Sequence, residues 1–384
     1  MNVVRVRQAK TIDAKKLELF FKEAYGEMAR YKYPERWEWL FLRNPWQDPD
    51  DLQIYIAEEN EKIVGHAAAY IVPCKIHNKT VQLSWGIDSI VLPQYRGRGV
   101  AKALQSLNKK KSQIGASFSM SPVIRKVKKK LGFNPGPPAY LYIRYLGFSN
   151  SAILSRYNSG LVKILMYFPT VILYGALAII QNSRINKLNA AYKIIYQNPP
   201  EFGSDETILW KKVRKDYAFG VERTAEYLNW RYKEEPWGKH FCFKTYDDQD
   251  NLNGLLIYRV GTETNPNVAI ILELITIPGY NNISECLLYT MEKHVIKENV
   301  RQIQFACGDN KAEIPLKRCG YLKIGEKALI ISGSGNIFPD LNRNSSIILT
   351  TGDQDADQFP YAKLFSPLEV IIYQLKRHLF PSKL

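Results

Sequence analysis

Several chemistries are missing from this 384-residue sequence. Its five cysteines (Cys74, Cys242, Cys286, Cys307 and Cys319) are an odd number, and no two stand in a Cys-x-x-Cys pair. That leaves no spacing of a structural zinc module and argues against a disulfide framework. With no leader-like start, it sets the expectation of a reducing cytoplasm. Acidic residues are scarce, 37 against 53 basic ones, for a formal net charge of +16. So cationic a chain favours phosphate-bearing cosubstrates, nucleotide-sugars, nucleic acid or an anionic membrane surface. No nucleic-acid module accompanies the charge, and no nucleic-acid partner is expected. Low-complexity tracts are absent too, and at this length the chain should fold as two domains, each with its own core.

Two phosphate-loop signatures are also lacking. The Walker spacing is absent, and no third glycine completes a dinucleotide fingerprint, because Lys102 stands at its position. What is present is Gln94-Tyr95-Arg96-Gly97-Arg98-Gly99-Val100-Ala101. It lies between a strand-like run, Trp85 to Leu92, that stops at Pro93 and a stretch with apolar residues at 100, 103, 104 and 107, a helical spacing. Strand, Gly-rich turn and helix N-terminus make an anion cradle of converging backbone N–H groups. Taken alone, the four residues Arg-Gly-Arg-Gly also fit a solvated basic turn.

In context, Gln94 to Gly99 resembles the acyl-CoA pyrophosphate loop of the GNAT superfamily of N-acyltransferases, Gln/Arg-x-x-Gly-x-Gly/Ala. The resemblance implies a mixed α/β fold and acetyl-CoA or another acyl-CoA as cosubstrate. Loop amides at Gln94, Arg96, Gly97, Arg98, Gly99, Val100 and Ala101 would hold the diphosphate. Backbone N–H groups of the preceding strand at Ile90, Val91 and Leu92 would meet the pantetheine arm and polarise the thioester carbonyl.

The order of elements repeats. Tyr227 to Pro236 echoes Trp37 to Pro45, Leu272 to Pro278 matches Ile87 to Pro93, and Cys319-Gly320-Tyr321 answers Leu131-Gly132-Phe133. The expected architecture is therefore two tandem GNAT-like domains, each a twisted mixed sheet flanked by helices, with the second copy degenerate. After Pro278 the second copy reads Gly279-Tyr280-Asn281-Asn282, without arginine or a second glycine, so it should bind no CoA. The divisions are 1–150 for the CoA-binding domain, 151–200 for an apolar helical linker, 201–335 for the second copy and 336–384 for a tail with an amphipathic helix. The apolar run 161–180 reads as a linker packed on the domains, an interfacial membrane contact or a span. A span would part the two copies. The protein is expected in the cytoplasm, with peripheral contact at the inner membrane face as an option.

Transfer from a thioester to an amine needs a held CoA, a polarised carbonyl, a base and an acid for the thiolate. Asp88, on the strand leading to the loop, is the candidate base, or a binder of the acceptor's hydroxyl or ammonium. Its companion in the second copy is Glu273, read as structural or acceptor-lining. His66 and His77 read as packed or surface residues of a hairpin. Ser119 and Ser121, at the end of the next strand, are candidates to bond pantetheine or acceptor. The family pattern places a tyrosine four residues before the Gly-Phe pair as general acid; here that residue is Lys128, with Tyr140 and Tyr142 as replacements. The Lys109–Lys111 and Lys128–Lys130 runs otherwise read as solvated helix faces, with a contribution to the CoA phosphates as the alternative. Asp353 to Asp357 lacks the glycine and glutamate of a calcium loop and reads as a polar turn, and no metal is expected. The Trp-x-Trp and Tyr-Leu-Asn-Trp-Arg-Tyr segments resemble tandem bacterial GNAT proteins of cell-surface polysaccharide synthesis. The implied acceptor is an amino sugar or sugar-nucleotide amine. Rival readings are a peptide or lipid-linked amine at the membrane face, and a CoA-binding scaffold with weak catalysis.

Overall fold

The computed structural model describes residues 4–112, 114–146, 192–261, 265–333, 341, 345–353 and 365. The run 161–180 and the helix expected in the tail lie outside them. No helix among the described residues is long and apolar enough to cross a membrane.

The first half opens with β1 (Arg5–Gln8), α1 (Ala14–Tyr25) and α2 (Glu35–Phe41). A long meander follows, β2 (Ile54–Glu59), β3 (Lys62–Ile76) and β4 (Lys79–Val91). Asn60 and Glu61 turn the β2–β3 hairpin with φ of 49° and 64°, the left-handed geometry that matches strand twist. Then come α3 (Val100–Lys111), β5 (Ile114–Phe118), α4 (Pro122–Lys130), β6 (Asn134–Pro135) and β7 (Ala139–Tyr145). The second half runs β8 (Lys193–Gln197), α5 (Ser204–Val213), β9 (Phe219–Val221) and α6 (Ala225–Leu228). It continues with β10 (His240–Tyr246), β11 (Leu252–Val260), β12 (Val268–Thr276), α7 (Asn281–Lys297) and β13 (Gln302–Cys307). It ends with α8 (Glu313–Arg318), β14 (Leu322–Lys327) and β15 (Leu329–Gly333). Each half thus has the repeated order that the sequence predicts.

The strands do not stay in their own halves. One sheet runs β1-β2-β3-β4-β5-β15-β6, and the other β14-β7-β13-β12-β11-β10-β8. β15, from the second half, pairs Leu329–Gly333 antiparallel with Phe118–Ile114. β7, from the first half, pairs with both β13 and β14. The last long strand of each copy therefore completes the other copy's sheet. A single boundary near residue 150 cannot describe this: residues 139–145 belong to the second sheet and 329–333 to the first. β9 adds a further crossing by pairing Val221 with Cys74 and Phe219 with Ile76. One apolar core accordingly joins residues of both halves, from Leu17 and Trp39 to Trp230 and Leu272. All five cysteines are buried and unbridged.

Candidate active site

β4 and β5 are parallel but paired only at Ser84–Gly115 and Trp85–Ala116. From Gly86 onward the two strands part, which leaves the β4 edge free of a neighbour on that side and opens a V. A register shift between His66 and Ala68 on β3 marks a bulge opposite, where β4 carries Asp88 at φ 45°. Bulges re-aim side chains and end pairing. Here the bulge turns the Asp88–Ser89 segment into a cleft of about 270 Å³ lined by Lys32, Asp88, Gln105, Ser117, Ser119 and Lys128 among others.

β4 runs out of this V to the loop. Gly97 and Gly99 have φ of 79° and 83°, and Gly99 is the residue immediately before α3. Only glycine holds such angles without strain, and they let successive N–H groups face one side ahead of the helix N-terminus. Arg96 Nε donates to the Val91 carbonyl at 3.0 Å, fixing the loop to the strand end. Arg98 lies over the Tyr95 ring at 5.2 Å, and Tyr95 in turn donates to Glu59 at 2.6 Å. Both guanidinium groups stand at an exposed loop beside the helix start, where an anion gains from charge and dipole together. Leu92, Gln94 and Ala101 fall in the same loop-and-helix start, and Ile90 and Val91 on the end of β4 that pairs with β3 but not with β5.

Asp88 is not a free carboxylate. It is buried and ion-paired with Lys32 and with Arg36 Nη1, the latter at 2.5 Å. Its backbone carbonyl accepts from His66 Nδ1 at 2.8 Å. Burial alone would raise its pKa, but the two cations outweigh that and hold it well below the usual carboxylate range. A carboxylate so tied is a poor proton acceptor, and its visible work is to hold Lys32 and Arg36 at the cleft. His66 is buried against Phe20 and Phe21 and held neutral by desolvation. His77 lies away from the cleft, its backbone N–H bonded to Ala218 in the other half at 2.6 Å.

Lys128 departs from the solvated face expected of it. The side chain is 3% exposed, while Lys129 and Lys130 next to it face solvent. Its Nζ lies 2.5 Å from Ser117 Oγ and 5.0 Å from the centre of the Phe133 ring. Desolvation lowers its pKa from the ordinary 10.5 to about 8. Lys109 in the other triplet instead ties α3 to the end of α4, donating to the Leu131 carbonyl at 2.6 Å.

Ser119 lines the cleft in a left-handed conformation, with φ 57°. Ser121 caps α4, its hydroxyl accepting from the Ile124 N–H at 3.4 Å. Tyr140 and Tyr142 are carried away by β7: both pair across to Cys307 and Phe305 of β13 in the second sheet. Tyr140 packs under Lys323 and Tyr142 contacts Glu313. They are removed from the Lys128 end of the cleft by the strand exchange. Sequence reasoning missed Lys32, Arg36, Gln105 and Ser117. Only folding brings them to Asp88 and Lys128, and nothing in their local spacing signals it.

The corresponding V of the second half is filled by the chain itself. β12 and β13 pair over only Val268–Gln302 to Ile270–Gln304 before parting. Residues 349–351 lie against the open edge of β13: Thr350 bridges Cys307, Gly308 donates to the Leu349 carbonyl at 2.8 Å, and Ala306 donates to Thr351 Oγ1 at 2.8 Å. Glu273 stands five residues before Pro278, as Asp88 does before Pro93. It is sealed in a cluster with Arg223 at 3.4 Å and accepts from Tyr232 at 2.7 Å and Thr350 at 3.1 Å. Asp353, expected in a polar turn, completes that cluster: it is buried and 2.5 Å from Arg223.

Comparison with known proteins matches this geometry. Residues 5–133 match the acetyltransferase (GNAT) domain family. A search of curated protein sequences returns no match. Among solved structures, a tandem GNAT protein from the clavulanic acid biosynthesis pathway aligns with a TM-score of 0.53 and 12% identity, over 87% of this chain and 99% of that one. A GCN5-related N-acetyltransferase from Anabaena variabilis aligns at 0.54 and 11% identity, over 86% of this chain and 72% of its own. A probable N-acyltransferase from Enterococcus faecalis does so at 0.54 and 13%, with the same coverage. At these identities the neighbours establish the fold, and the domain match establishes the first half.

Proposed function

The chain carries a GNAT acetyltransferase domain at residues 5–133 within a tandem GNAT fold, and from that premise we propose that its cleft transfers an acyl group from acyl-CoA to a primary amine. The observation that carries this reading is the line from the loop to the fork. β4 leaves the glycine loop, presents an unpaired edge, and reaches Lys128 where β4 and β5 meet. In this reading the amides around Gly97 and Gly99 hold the diphosphate, with Arg96 and Arg98 beside it. The free edge around Val91 receives the pantetheine and polarises the thioester carbonyl, while the Leu92 N–H expected to join it is already given to the Val64 carbonyl at 3.0 Å. The amine attacks that carbon directly, and the thiolate leaves.

Lys128 manages the protons in place of the family's tyrosine. A value of about 8 lets it take a proton when neutral and give one when charged, which suits work near neutral pH. Asp88 serves the acceptor side through its ion pairs rather than as the base. Ser119, which lines the cleft, bonds the acceptor in this reading.

The described lining of the cleft carries Lys32 and Lys128 with Asp88, which also ion-pairs with the buried Arg36. Excess positive charge favours an amine that also bears phosphate, and it supports the amino-sugar nucleotide over a neutral peptide or a lipid-linked amine. The second copy, its V filled by residues 349–351, takes no CoA in this reading and walls the site. The test is release of CoA thiol from acetyl-CoA with a panel of amines: amino-sugar nucleotides, free amino sugars, peptides and vesicle-borne lipid amines. Turnover that favours the nucleotides supports the acceptor class. Turnover with none of them, while acetyl-CoA binds, favours the scaffold reading.

A further inference from the structure

Direct amine attack gives Ser117 no task, yet the fold places it at the closed end of the cleft. Ser117 follows Ala116, the last β5 residue paired with β4, so it stands beside Gly86 at the fork. The absence of a side chain at residue 86 makes room for both groups: a Cβ there would press on Ser117 Oγ and on Lys128 Nζ. Lys128 reaches the same point from α4 and donates to Ser117 Oγ at 2.5 Å. Both side chains are buried, and both line the cleft. Among the described residues no carboxylate forms an ion pair with Lys128, and its other close neighbour is the Phe133 ring. A buried hydroxyl bonded to a buried lysine at the end of a cleft is the arrangement of a nucleophile with its base.

We propose that Ser117 and Lys128 form a nucleophile–base dyad that, when no amine is bound, takes the acyl group of acyl-CoA as a serine ester and passes it to water. The inference rests on acyl-CoA occupying the cleft as proposed above. In the first step Ser117 Oγ bonds to the thioester carbon and its proton passes to neutral Lys128 Nζ. The C–S bond breaks, and the departing thiolate takes that proton from Lys128, giving acyl-serine and free CoA. In the second step water attacks the ester carbon and gives its proton to Lys128. The C–O bond to Ser117 breaks, and Lys128 returns the proton to Oγ, leaving the carboxylic acid. The sum is acyl-CoA plus water to acid plus CoA, with no other reactant. The lowered pKa of Lys128 supplies the neutral amine that the first step needs.

The experiment incubates the full chain with acetyl-CoA and no amine, and follows intact mass, peptide mass, thiol release and melting temperature together. The dyad predicts one acetyl group on the peptide that contains Ser117. It also predicts slow thiol release that falls about 100-fold or more in Ser117→Ala, the size of a lost base-assisted step. Ser117→Cys should accumulate a stable acetyl thioester at the same position, which keeps the test open if the alanine variant folds poorly. If acetyl-CoA raises the melting temperature but Ser117 is never acylated and thiol release is equal in Ser117→Ala, the dyad is overturned and direct transfer stands. If neither acetyl-CoA nor longer acyl-CoAs raise the melting temperature, the CoA assignment of the loop fails and the dyad fails with it.

Discussion

Trp39 and Trp230 exchange hydrogen bonds across the two halves. Trp39 Nε1 donates to the Trp230 carbonyl at 2.9 Å, Trp230 Nε1 donates to the Trp39 carbonyl at 3.4 Å, and the rings stack at 5.0 Å. Each stands six residues before a proline, Pro45 and Pro236, at the same place in its copy. The reciprocal pair joins the same position of the two copies within the core they share. Burying both indoles while satisfying both N–H groups makes this contact costly to lose.

Trp39→Ala and Trp230→Ala should each destabilise the chain by about 3–5 kcal/mol, the range for removing a buried aromatic. The double variant should lose less than the sum, because the two share one contact. Chemical denaturation measures both. Additive losses would show that the tryptophans act independently.

Replacing Gly97 or Gly99 with valine places a β-branched residue at φ near 80°. The left-handed conformation costs about 1–2 kcal/mol. Because the loop is exposed, most of the effect should appear in CoA affinity rather than in global stability. Acyl-CoA binding by calorimetry should weaken by at least tenfold, and unchanged affinity would remove the loop from the cosubstrate site.

Lys128→Met should stabilise the protein at neutral pH while lowering turnover. Desolvation depresses the folded-state value of Lys128 from 10.5 to about 8. Below about 8 the lysine is charged in both states and the folded state bears the full burial penalty, roughly 3 kcal/mol for a shift of this size. As pH rises from about 8 to 10.5 the folded state has already lost the proton that the unfolded chain keeps, so wild-type stability rises and the advantage of methionine fades. Denaturation curves at pH 7 and pH 10.5 check this; an equal difference at both would show that Lys128 is not buried as a cation.

Asp88→Asn should cost about 3–5 kcal/mol, because it removes the charge that pairs with buried Lys32 and Arg36. In the wild type, the contribution of Asp88 is complete above the ordinary carboxylate range and is lost as pH falls through its lower folded-state value. The pH profile of kcat/KM in the variant should keep the limb belonging to Lys128. Loss of that limb would return the role of base to Asp88.

Much of this was readable from local pattern. The helix spacing of 100–111, the Pro93 stop and the Arg-Gly-Arg-Gly turn identified the loop, because glycine demand and helix starts are short-range properties. The two copies were readable because each repeats a similar order at similar spacing. Lys128 was visible as a departure from a tyrosine position, but its burial was not: in sequence it is one lysine of three, and only the fork beneath α4 distinguishes it from Lys129 and Lys130.

The sequence by itself determined the elements, their repeated order and the glycine turn ahead of α3, since these depend on residues within a few turns or strands of one another. Tertiary structure decided which sheet each last strand joined, that Asp88 is neutralised by Lys32 and Arg36, that Tyr140 leaves the site, and that residues 349–351 close the second V. Each of these depends on pairings between segments distant along the chain. A strand edge accepts any partner of matching pleat, and a carboxylate any cation within reach, so packing of the whole chain selects among them.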